Sequence, residues 1–373
     1  MKICIISNSI VSTFRFRNDL INNLLKNNEV HILANNDTFD QVIKFNKKIN
    51  LQYLFSRSNS FKIKELLKDV FLIKRYIKTN KIDIIYVNSW HSIFILFIII
   101  NLSKIIPYSY NGYKVFFNVA GLGNYFTKKN IRSILIKNIL LNIIKYLPSQ
   151  KTILFFQNNQ DYRYFKFNKI IKSKQSYIIE GSGIDLEKFQ FDKINTLDKK
   201  IILFVGRSLI FKGIKELISV AKIITKEYNN VYFDIVLINN KNNPDFYHFN
   251  SVNNPKIKFY YNVKNIINFY KKSSIFILPS YREGCSRSIL EALSVGRPVI
   301  TTFHGGGPET VIDNFNGYLI PKKNTKKLYE KIKYLVDNNS EILRMSLNSR
   351  LLAENKFDIK KLNNKIISLF YSS

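Results

Sequence analysis

Cysteine is scarce in this chain, and so are acidic residues. Its 373 residues include only two cysteines, Cys4 and Cys285, so neither a disulfide framework nor a zinc cluster is expected, and a reducing compartment fits. Lysine and arginine number 58 against 26 aspartates and glutamates, which gives a net charge of +32. This excess favours an anionic partner such as nucleic acid, an acidic membrane face or a phosphorylated substrate. A general bias towards Lys, Asn and Ile explains the same charge without a partner, and both explanations stay open.

Long hydrophobic runs are also missing. The first apolar run, Lys2–Ser7, is too short for a signal peptide and is predicted to be a strand. The longest apolar stretch, Ile93–Ile100, is too short to span a bilayer, which takes roughly 20 residues. We therefore expect a cytoplasmic protein, with peripheral attachment to the cytoplasmic face of the inner membrane as an option.

Short β-rich runs alternate with longer helical stretches along the chain. The predicted strands are nearly continuous in hydrophobic residues, as in parallel sheets covered on both faces. They are Lys2–Ser7, Glu29–Ala34, Ile82–Asn88, Lys114–Val119, Thr152–Gln157, Ile201–Gly206, Val231–Ile238, Lys256–Tyr260, Ser274–Pro279 and Pro298–Thr302. This alternation predicts an α/β fold of two doubly wound, Rossmann-like domains that face a cleft.

The series of strands pauses after Gly181, which divides the chain. We predict an N-terminal domain over residues 1–180, a linker over 181–199 and a C-terminal domain over 200–350. A C-terminal helix is predicted over 351–373, and its return to the N-terminal domain is an option. Ligands of open α/β sheets bind at the carboxyl ends of the strands, so the loops that follow strands are the places to look for chemistry.

Two cations share the loop after the sixth predicted strand. Arg207 and Lys212 stand between Gly206 and Gly213, glycines expected to allow tight turns. Arginine grips a diphosphate through its planar fork and lysine as a point charge, and both stabilise the charge that builds on a departing diphosphate. A solvated basic loop is the plain alternative for this pair taken alone.

Two glutamates follow the ninth predicted strand. Glu283 lies in the loop, where it could accept hydrogen bonds from sugar hydroxyls, and Glu291 lies about two turns into the next helix, where it could bind a ribose. Gly284, Cys285 and Ser286 are expected at the helix N-terminus, whose backbone N–H groups suit a phosphate or sugar oxygen. In the alternative interpretation, both glutamates are ordinary helix charges.

Glycines and a second loop complete this edge of the predicted sheet. The run Gly305-Gly306-Gly307 indicates close backbone approach, either to a ligand or to a neighbouring loop. His304 beside it is titratable, although a lone loop histidine more often makes a structural hydrogen bond. Asn262 and Val263 could flank a nucleobase or form an ordinary strand-to-helix turn.

Together these segments resemble the retaining glycosyltransferases of family 4, which have the GT-B fold. Seven motifs agree in order and spacing across Gly181 to Pro321. They are Gly181-Ser182-Gly183-Ile184-Asp185, Gly206-Arg207 with Lys212-Gly213, Pro279-Ser280-Tyr281-Arg282-Glu283-Gly284, Glu291-Ala292-Leu293, Gly296-Arg297-Pro298-Val299-Ile300, Pro308-Glu309 and Asn316-Gly317. Their joint occurrence favours the functional interpretation of each.

The resemblance implies a role for each matched residue. The family residues that match Arg207 and Lys212 hold the donor diphosphate. The one that matches Glu283 contacts the transferred sugar, and the one that matches Glu291 binds the ribose. The resemblance also implies retention of anomeric configuration without a metal, and this sequence has no Asp-x-Asp cluster. The expected donor is a nucleotide-diphosphate sugar, with UDP favoured, and no cofactor is expected.

The first half resembles members that extend undecaprenyl-linked oligosaccharides. The matching segments are Ser7-Asn8-Ser9, Phe14-Arg15-Phe16-Arg17 and Asn118 to Phe126. The acceptor-side candidates within them are Asn8, Arg17, Gly121 and Gly123. Unlike many relatives, the chain has no glycine-rich loop after the first strand and no histidine near position 120. His91 is the substitute candidate, and a structural role beside Trp90 is the alternative for it. A lipid-linked or surface-polysaccharide acceptor, such as a capsule or O-antigen precursor, is expected.

Residues 128–147 predict a basic amphipathic helix. Its apolar stripe is predicted to consist of Ile136, Ile139, Leu140, Ile143 and Leu147. Such a helix suits an anionic bilayer. An ordinary core-facing helix with a wet basic side explains the pattern equally well.

Two other functions stay open beside the glycosyltransferase. A nucleic-acid-binding protein would explain the charge, but the basic residues are spread evenly and no RNA- or DNA-binding motif is recognised, so no nucleic-acid partner is expected. A sugar epimerase or a phosphorylase with the GT-B fold is the closer alternative.

Overall fold

The computed structural model divides the chain into two compact units. The residues it describes are 1–35, 46–56, 63–105, 113–120, 131–145, 152–171, 175–238, 245–248 and 252–372. Unit one comprises Met1–Ser182 and Leu362–Ser373, and unit two comprises Gly183–Lys361. Each unit contains one parallel sheet flanked by helices, which confirms the predicted α/β class.

Unit one is built on seven strands in its described part. They are β1 (Lys2–Ser7), β2 (Glu29–Asn35), β3 (Asn50–Leu54), β4 (Ile84–Val87), β5 (Lys114–Val119), β6 (Thr152–Phe156) and β7 (Ser176–Ile178). Their order in the sheet is β3-β2-β1-β4-β5-β6-β7. The helices between them are α1 (Ile10–Leu24), α2 (Ile63–Asn80), α3 (Trp90–Ile105), α4 (Ile131–Lys145) and α5 (Asn159–Phe167).

Both faces of the unit-one sheet are covered, which explains its hydrophobic strands. Ile3 and Ile5 belong to a core shared with α1, the α1-side core. Cys4 and Ile6 belong to a separate core shared with α2. Successive side chains of a strand point to opposite faces, so a strand covered on both sides is apolar at every position.

The last helix of the chain contributes to unit one. Helix α12 (Ile359–Ser372 in the structure) adds Leu362, Ile366 and Phe370 to the α1-side core. The Phe370 ring centroid lies 4.6 Å from that of Phe116 and 5.5 Å from that of Tyr86. The spacing of four residues places the three side chains on one face of the helix.

Unit two is built on six strands in its described part. They are β8 (Lys200–Arg207), β9 (Val231–Ile238), β10 (Ile257–Tyr261), β11 (Ile275–Leu278), β12 (Val299–Thr302) and β13 (Gly317–Ile320). Their order is β10-β9-β8-β11-β12-β13. The helices are α6 (Ile214–Glu227), α7 (Ile267–Lys272), α8 (Arg287–Val295), α9 (Gly307–Thr310), α10 (Thr325–Asp337) and α11 (Asn339–Leu352). A 3-10 turn at Ile210–Lys212 precedes α6, and a π-helical turn at Ala353–Phe357 follows α11.

All ten predicted strands coincide with observed strands, and their ends differ by at most two residues. The sequence analysis missed β3, β7 and β13, each of which lies at an edge of its sheet. An edge strand pairs with another strand on one side only, so it tolerates polar residues and short lengths. Strand β3 carries Asn50 and Gln52, and β7 has only three residues.

The segment predicted to be a linker contributes to the core of unit two. Ile184, Phe189 and Leu197 are buried in its hydrophobic cluster. Ile184 also forms a backbone bridge with Asp358. The polar composition of residues 181–199 favoured a linker, so the burial of these three apolar residues was not predicted.

The predicted apolar stripe of the 128–147 helix is wrong in part. Helix α4 buries Leu140 and Ile144, whereas Ile139, which was assigned to the stripe, is exposed. The exposed aliphatic side chains at helical spacing are Ile131, Ile134, Leu135 and Ile139. Several adjacent stripes of this helix are equally apolar, so periodicity alone did not determine which one the sheet covers. The two ends of the predicted helix lie outside the described residues.

Across the part of the chain that the structure describes, no helix combines the length and the hydropathy needed to cross a membrane.

Candidate active site

The candidate site lies at the carboxyl edge of the unit-two sheet. The loop after β8 meets the loop after β11 through the side chains of Lys212 and Glu283. The loop after β11 meets the loop after β12 through a backbone bridge between Glu283 and Gly305. Three strand ends therefore contribute to one site, at the edge where open α/β sheets bind ligands.

Lys212 and Glu283 form an ion pair at this edge. Nζ of Lys212 donates to Oε1 of Glu283, and the two side chains are 11% and 17% exposed. Water screens a pair with so little exposure less than it screens a surface pair, and removal of one partner leaves the other charge poorly solvated. The sequence analysis placed both residues at the site but did not pair them, because 71 positions separate them along the chain.

Backbone contacts fix Lys212 against the loop after β11. The Phe211 carbonyl accepts a hydrogen bond from the Tyr281 N–H at 2.8 Å. Gly213 has a φ of 72°, in the left-handed region. A Cβ atom at Gly213 would also overlap the carbonyl oxygen of Pro279. The turn after Lys212 therefore requires glycine for both conformation and space, which confirms the expectation for this glycine.

The glycine run after β12 packs against the loop that carries Glu283. The Gly306 N–H donates to the Glu283 carbonyl at 2.9 Å. Cβ atoms at Gly305 and Gly306 would overlap carbonyl oxygens of the Glu283–Gly284 segment. Of the two explanations offered by the sequence, a ligand or a neighbouring loop, the structure shows the neighbouring loop. The glycines thereby position the backbone of Glu283.

A buried carboxylate on α6 supports the same loop. The Tyr281 hydroxyl donates to Oε1 of Glu216 at 2.8 Å. Burial, followed by the hydrogen bond to Glu216, raises the pKa of Tyr281, so its hydroxyl stays a donor. The sequence analysis missed Glu216. Its only signal was a position in the first turn of α6, where acidic residues are common.

Arg207 ends β8 and is exposed. Among the described residues, its side chain makes no hydrogen bond and no ion pair, so its guanidinium group is available to a ligand. The expectation for Gly206 is wrong, because this residue lies inside β8, paired with Leu237, rather than in a turn. The missing side chain instead leaves room for Phe204, since a Cβ atom would lie 3.1 Å from Cζ of its ring.

Glu291 lies on α8 and is held by two side chains. The Tyr270 hydroxyl donates to Oε2 at 2.8 Å, and Nε of Arg287 donates to Oε1 at 3.2 Å. Burial raises the pKa of Glu291, while Arg287 and Tyr270 act in the opposite direction. A ribose would therefore join or displace part of an existing network rather than meet an isolated carboxylate.

The residues 284–286 directly precede the N-terminus of α8. Gly284 and Cys285 lead to Ser286, the N-cap residue, and α8 begins at Arg287. The Ser286 hydroxyl makes no capping bond and lies 3.2 Å from the hydroxyl of Ser288. The partial positive charge of this helix N-terminus lies next to the Glu283 loop, which favours an anionic or electron-rich ligand there.

The loop after β10 is a strand-to-helix turn with two exposed side chains. Asn262 has a φ of 48°, and its N–H donates to the Leu237 carbonyl at 3.1 Å. Val263 packs against the core of unit two. Tyr261 and Asn262 are exposed. Two of the residues at this strand end thus face solvent, whereas Val263 has a packing role.

His304 adds little charge to the site at neutral pH. Burial lowers the pKa of His304, and the nearby cations Lys322 and Arg282 lower it further. Its Nδ1 atom is buried without a hydrogen-bond partner among the described residues. The surroundings of His304 are therefore cationic while the imidazole itself is neutral.

Three residues of the matched motifs have structural roles. Arg297 is fully buried, and its Nη2 donates to the Asp192 carboxylate at 2.9 Å. Burial lowers the pKa of Arg297 to about 10. Asn316 is also fully buried and bonds to backbone groups of its own loop. Glu309 pairs with Lys356 at 3.2 Å. These residues stabilise the frame around the site.

The acceptor-side candidates belong to unit one. Asn8 connects β1 to Ser9, the N-cap residue of α1. Arg17 is buried on α1, and His91 is the second residue of α3. The other two candidates, Gly121 and Gly123, lie outside the described residues.

Comparison with known proteins identifies the class. The fold matches HepE of Anabaena, solved in complex with UDP, with a TM-score of 0.75, 14% identity and 100% coverage of both chains. A Campylobacter jejuni enzyme, N,N'-diacetylbacillosaminyl-diphospho-undecaprenol alpha-1,3-N-acetylgalactosaminyltransferase, is 27% identical over 363 residues, which cover 93% of this chain and 92% of that enzyme. The capsular polysaccharide biosynthesis glycosyltransferase CapM of Staphylococcus aureus is 32% identical over 51% of this chain and 53% of CapM.

The fold is the GT-B fold, and the matched domain and the similar proteins identify a glycosyltransferase, as predicted. Residues 186–369 match the family described as Glycosyl transferases group 1, so this part of the chain is similar to that family.

Proposed function

We propose that this glycosyltransferase moves a hexose from a UDP-sugar to a lipid-linked or surface-polysaccharide acceptor, with retention of anomeric configuration. The observation that carries the proposal is the Lys212–Glu283 pair at the same sheet edge as Arg207. Two cations suited to a diphosphate thereby lie beside one carboxylate suited to sugar hydroxyls.

In the proposed complex, Arg207 and Lys212 bind the donor diphosphate. Their charge stabilises the nucleoside diphosphate as the bond between the anomeric carbon and the phosphate oxygen breaks. The acceptor hydroxyl oxygen forms the new bond to that carbon, and its proton passes to the departing diphosphate or to solvent. Lys212 exchanges Glu283 for the diphosphate, which releases the Glu283 carboxylate for the transferred sugar.

The remaining donor contacts follow from their positions around this pair. Glu291 binds the ribose, the N–H groups of the segment 284–286 bind phosphate or sugar oxygens, and the loop at Asn262 and Val263 flanks the base. Gly206 allows the donor to approach the end of β8. On the acceptor side, the proposed contacts come from Asn8, Arg17, His91, Gly121 and Gly123.

Similar proteins support the choice of substrates. HepE of Anabaena has been solved with UDP and also with UDP-glucose, which supports a UDP-linked donor. The name of the Campylobacter jejuni relative specifies a sugar on diphospho-undecaprenol, and CapM takes part in capsular polysaccharide biosynthesis. An acceptor on a lipid carrier or a surface glycan agrees with both.

We further propose that the protein is cytoplasmic and binds the membrane surface peripherally. The net charge of +32 attracts anionic lipids, and α4 exposes four large aliphatic side chains, among which Ile131 is 85% exposed. The exposed stripe differs from the predicted one.

A thermal-shift panel of nucleoside diphosphates, followed by donor hydrolysis assays, tests the proposal. UDP should raise the melting temperature by several degrees at saturating concentration, because a ligand that binds only the folded state stabilises it. UDP-hexoses should be hydrolysed slowly when no acceptor is present. A protein that responds to no nucleoside diphosphate and hydrolyses no nucleotide sugar would contradict the proposed function.

A further inference from the structure

Arg17 is a buried cation that has no acidic partner among the described residues. It lies in the middle of α1, and 5% of its surface is exposed. Within the described ranges, its side chain makes no hydrogen bond and no ion pair, and its Cζ lies 5.8 Å from the centroid of the Tyr86 ring. An unpaired buried charge costs free energy, so packing alone does not account for an arginine at this position.

Two further polar groups on the same face of the sheet lack partners. The Tyr86 hydroxyl and Nδ2 of Asn88 are buried without hydrogen-bond partners among the described residues. Oδ1 of Asn88 accepts from Nδ2 of Asn118 at 3.2 Å. This bond orients the Asn88 amide and leaves its NH₂ group as an unused donor. Tyr86 belongs to the α1-side core, and the alternation of side chains places Asn88 on that same side.

These groups gather towards the carboxyl edge of the unit-one sheet. Helix α1 starts just after β1 and runs away from that edge, and helical side chains lean towards the helix N-terminus. The Arg17 guanidinium group lies over the ring of Tyr86, which is one residue before the end of β4. Ile6 pairs with Val87, and Val87 pairs with Phe117, so Asn88 and Asn118 follow at the same level.

We propose that Arg17, Tyr86 and Asn88 form an anion-binding site in unit one that takes the diphosphate of a lipid-linked acceptor. The planar guanidinium fork matches two oxygens of a phosphate group, and the hydroxyl and amide donors match others. This inference rests on the proposed function and deepens it, because it makes a phosphate group, and not only a sugar, part of what the acceptor side recognises.

The proposal predicts opposite effects on stability and on binding. Removal of this buried charge should leave the melting temperature of the protein without substrate unchanged or raise it, since no ion pair among the described residues compensates for the charge. The same change should weaken binding of a phosphate-bearing acceptor at least tenfold. A structural arginine would give the reverse pattern, with lower stability and little selectivity between acceptors.

The test compares the full-length wild type with Arg17→Gln, Arg17→Lys and the matched control Arg75→Gln, which alters an exposed arginine of α2 in the same unit. Each protein is assayed with a UDP-sugar and two acceptors: a short prenyl diphosphate-linked sugar and the same sugar as an uncharged alkyl glycoside. For Arg17→Gln, the KM of the diphosphate acceptor should rise at least tenfold, and this rise should be clearly larger than any rise in the KM of the glycoside. The KM of the diphosphate acceptor for Arg17→Lys should lie between the values for the wild type and Arg17→Gln. Arg75→Gln should match the wild type.

Four results would overturn the anion site. They are an unchanged KM for the diphosphate acceptor, an equal rise for both acceptors, a clear loss of thermal stability in ligand-free Arg17→Gln, and a matching loss of binding to anionic phospholipid vesicles without acceptor, which would assign the site to lipid headgroups. Each is interpretable when the wild type hydrolyses the donor. A wild type that neither hydrolyses nor transfers from any nucleotide sugar would contradict the proposed function itself.

Discussion

The Lys212 ammonium group donates to the Glu283 carboxylate across two loops of unit two, with both side chains largely shielded from water. The two side chains proposed to bind the donor are therefore bound to each other in this structure. The pair holds both side chains in place before the substrate arrives, and the donor diphosphate competes with Glu283 for Lys212. Such preorganisation lowers the cost of ordering charged side chains during the reaction.

Replacement of Lys212 should abolish most of the activity. Loss of a charged contact to the departing diphosphate costs about 2–4 kcal/mol of transition-state stabilisation, or roughly a hundredfold in rate. Steady-state assays of Lys212→Ala and of Lys215→Ala, an exposed lysine on α6, measure this directly. The control should retain full activity. Turnover of Lys212→Ala within a few-fold of the wild type would remove Lys212 from the site.

The two glutamates should affect different kinetic constants. A ribose contact contributes equally to the ground state and the transition state, so Glu291→Ala should mainly raise the donor KM and weaken UDP binding. A contact at the reacting sugar should act on kcat, so Glu283→Ala should bind UDP nearly normally and turn over slowly. Calorimetric titration of both variants with UDP checks this. The opposite pattern would reverse the two roles.

A side chain at Gly306 should displace the Glu283 loop. A Cβ atom there would overlap the Gly284 carbonyl oxygen, so Gly306→Ala requires a backbone shift and should destabilise the protein by about 1–3 kcal/mol. Activity should fall more than stability explains, because Glu283 moves with its loop. Thermal melts and kcat measured below the melting transition separate the two effects. The nearby exposed residue Phe303 provides a control, since Phe303→Ala should change neither the stability nor the activity.

Activity should survive excess EDTA. Arg207 and Lys212 supply positive charge where a divalent ion would otherwise neutralise the departing diphosphate. Among the described residues, no three His, Cys, Asp or Glu side chains are grouped to hold a metal ion. Rates measured with EDTA and with added Mg²⁺ or Mn²⁺ should agree within a factor of two. Activity that EDTA abolishes and a metal restores would reject charge neutralisation by these two residues.

The sequence predicted the strands better than the contacts between residues that are distant along the chain. Strand hydrophobicity is a local property, so β1, β5 and β9 were predicted with correct ends. The pairing of Lys212 with Glu283 is not local, and the sequence analysis instead joined Lys212 with Arg207, its neighbour along the chain. The contact between Lys212 and Glu283 depends on the order of the strands in the sheet, in which β8 and β11 lie side by side.

Residues with ambiguous local signals were the ones misjudged. Gly206 looked like a turn glycine because it precedes a loop, but its strand continues one residue further to Arg207. The glycines at positions 305–307 indicated close approach of the backbone, but they did not indicate whether it approaches a ligand or a neighbouring loop. Glu216 has an ordinary helix position, and its contact with Tyr281 follows only from the packing of α6 against the loop after β11.

The anomeric configuration of the first product tests the central proposal most directly. Proton NMR can follow transfer from a UDP-α-hexose to the acceptor and determine the linkage before any secondary reaction. We expect an α-linked product from the wild type and about a hundredfold less of it, in the same time, from Lys212→Ala. A β-linked product, or equal α-linked product from both proteins, would contradict a retaining transfer that depends on the Lys212 site.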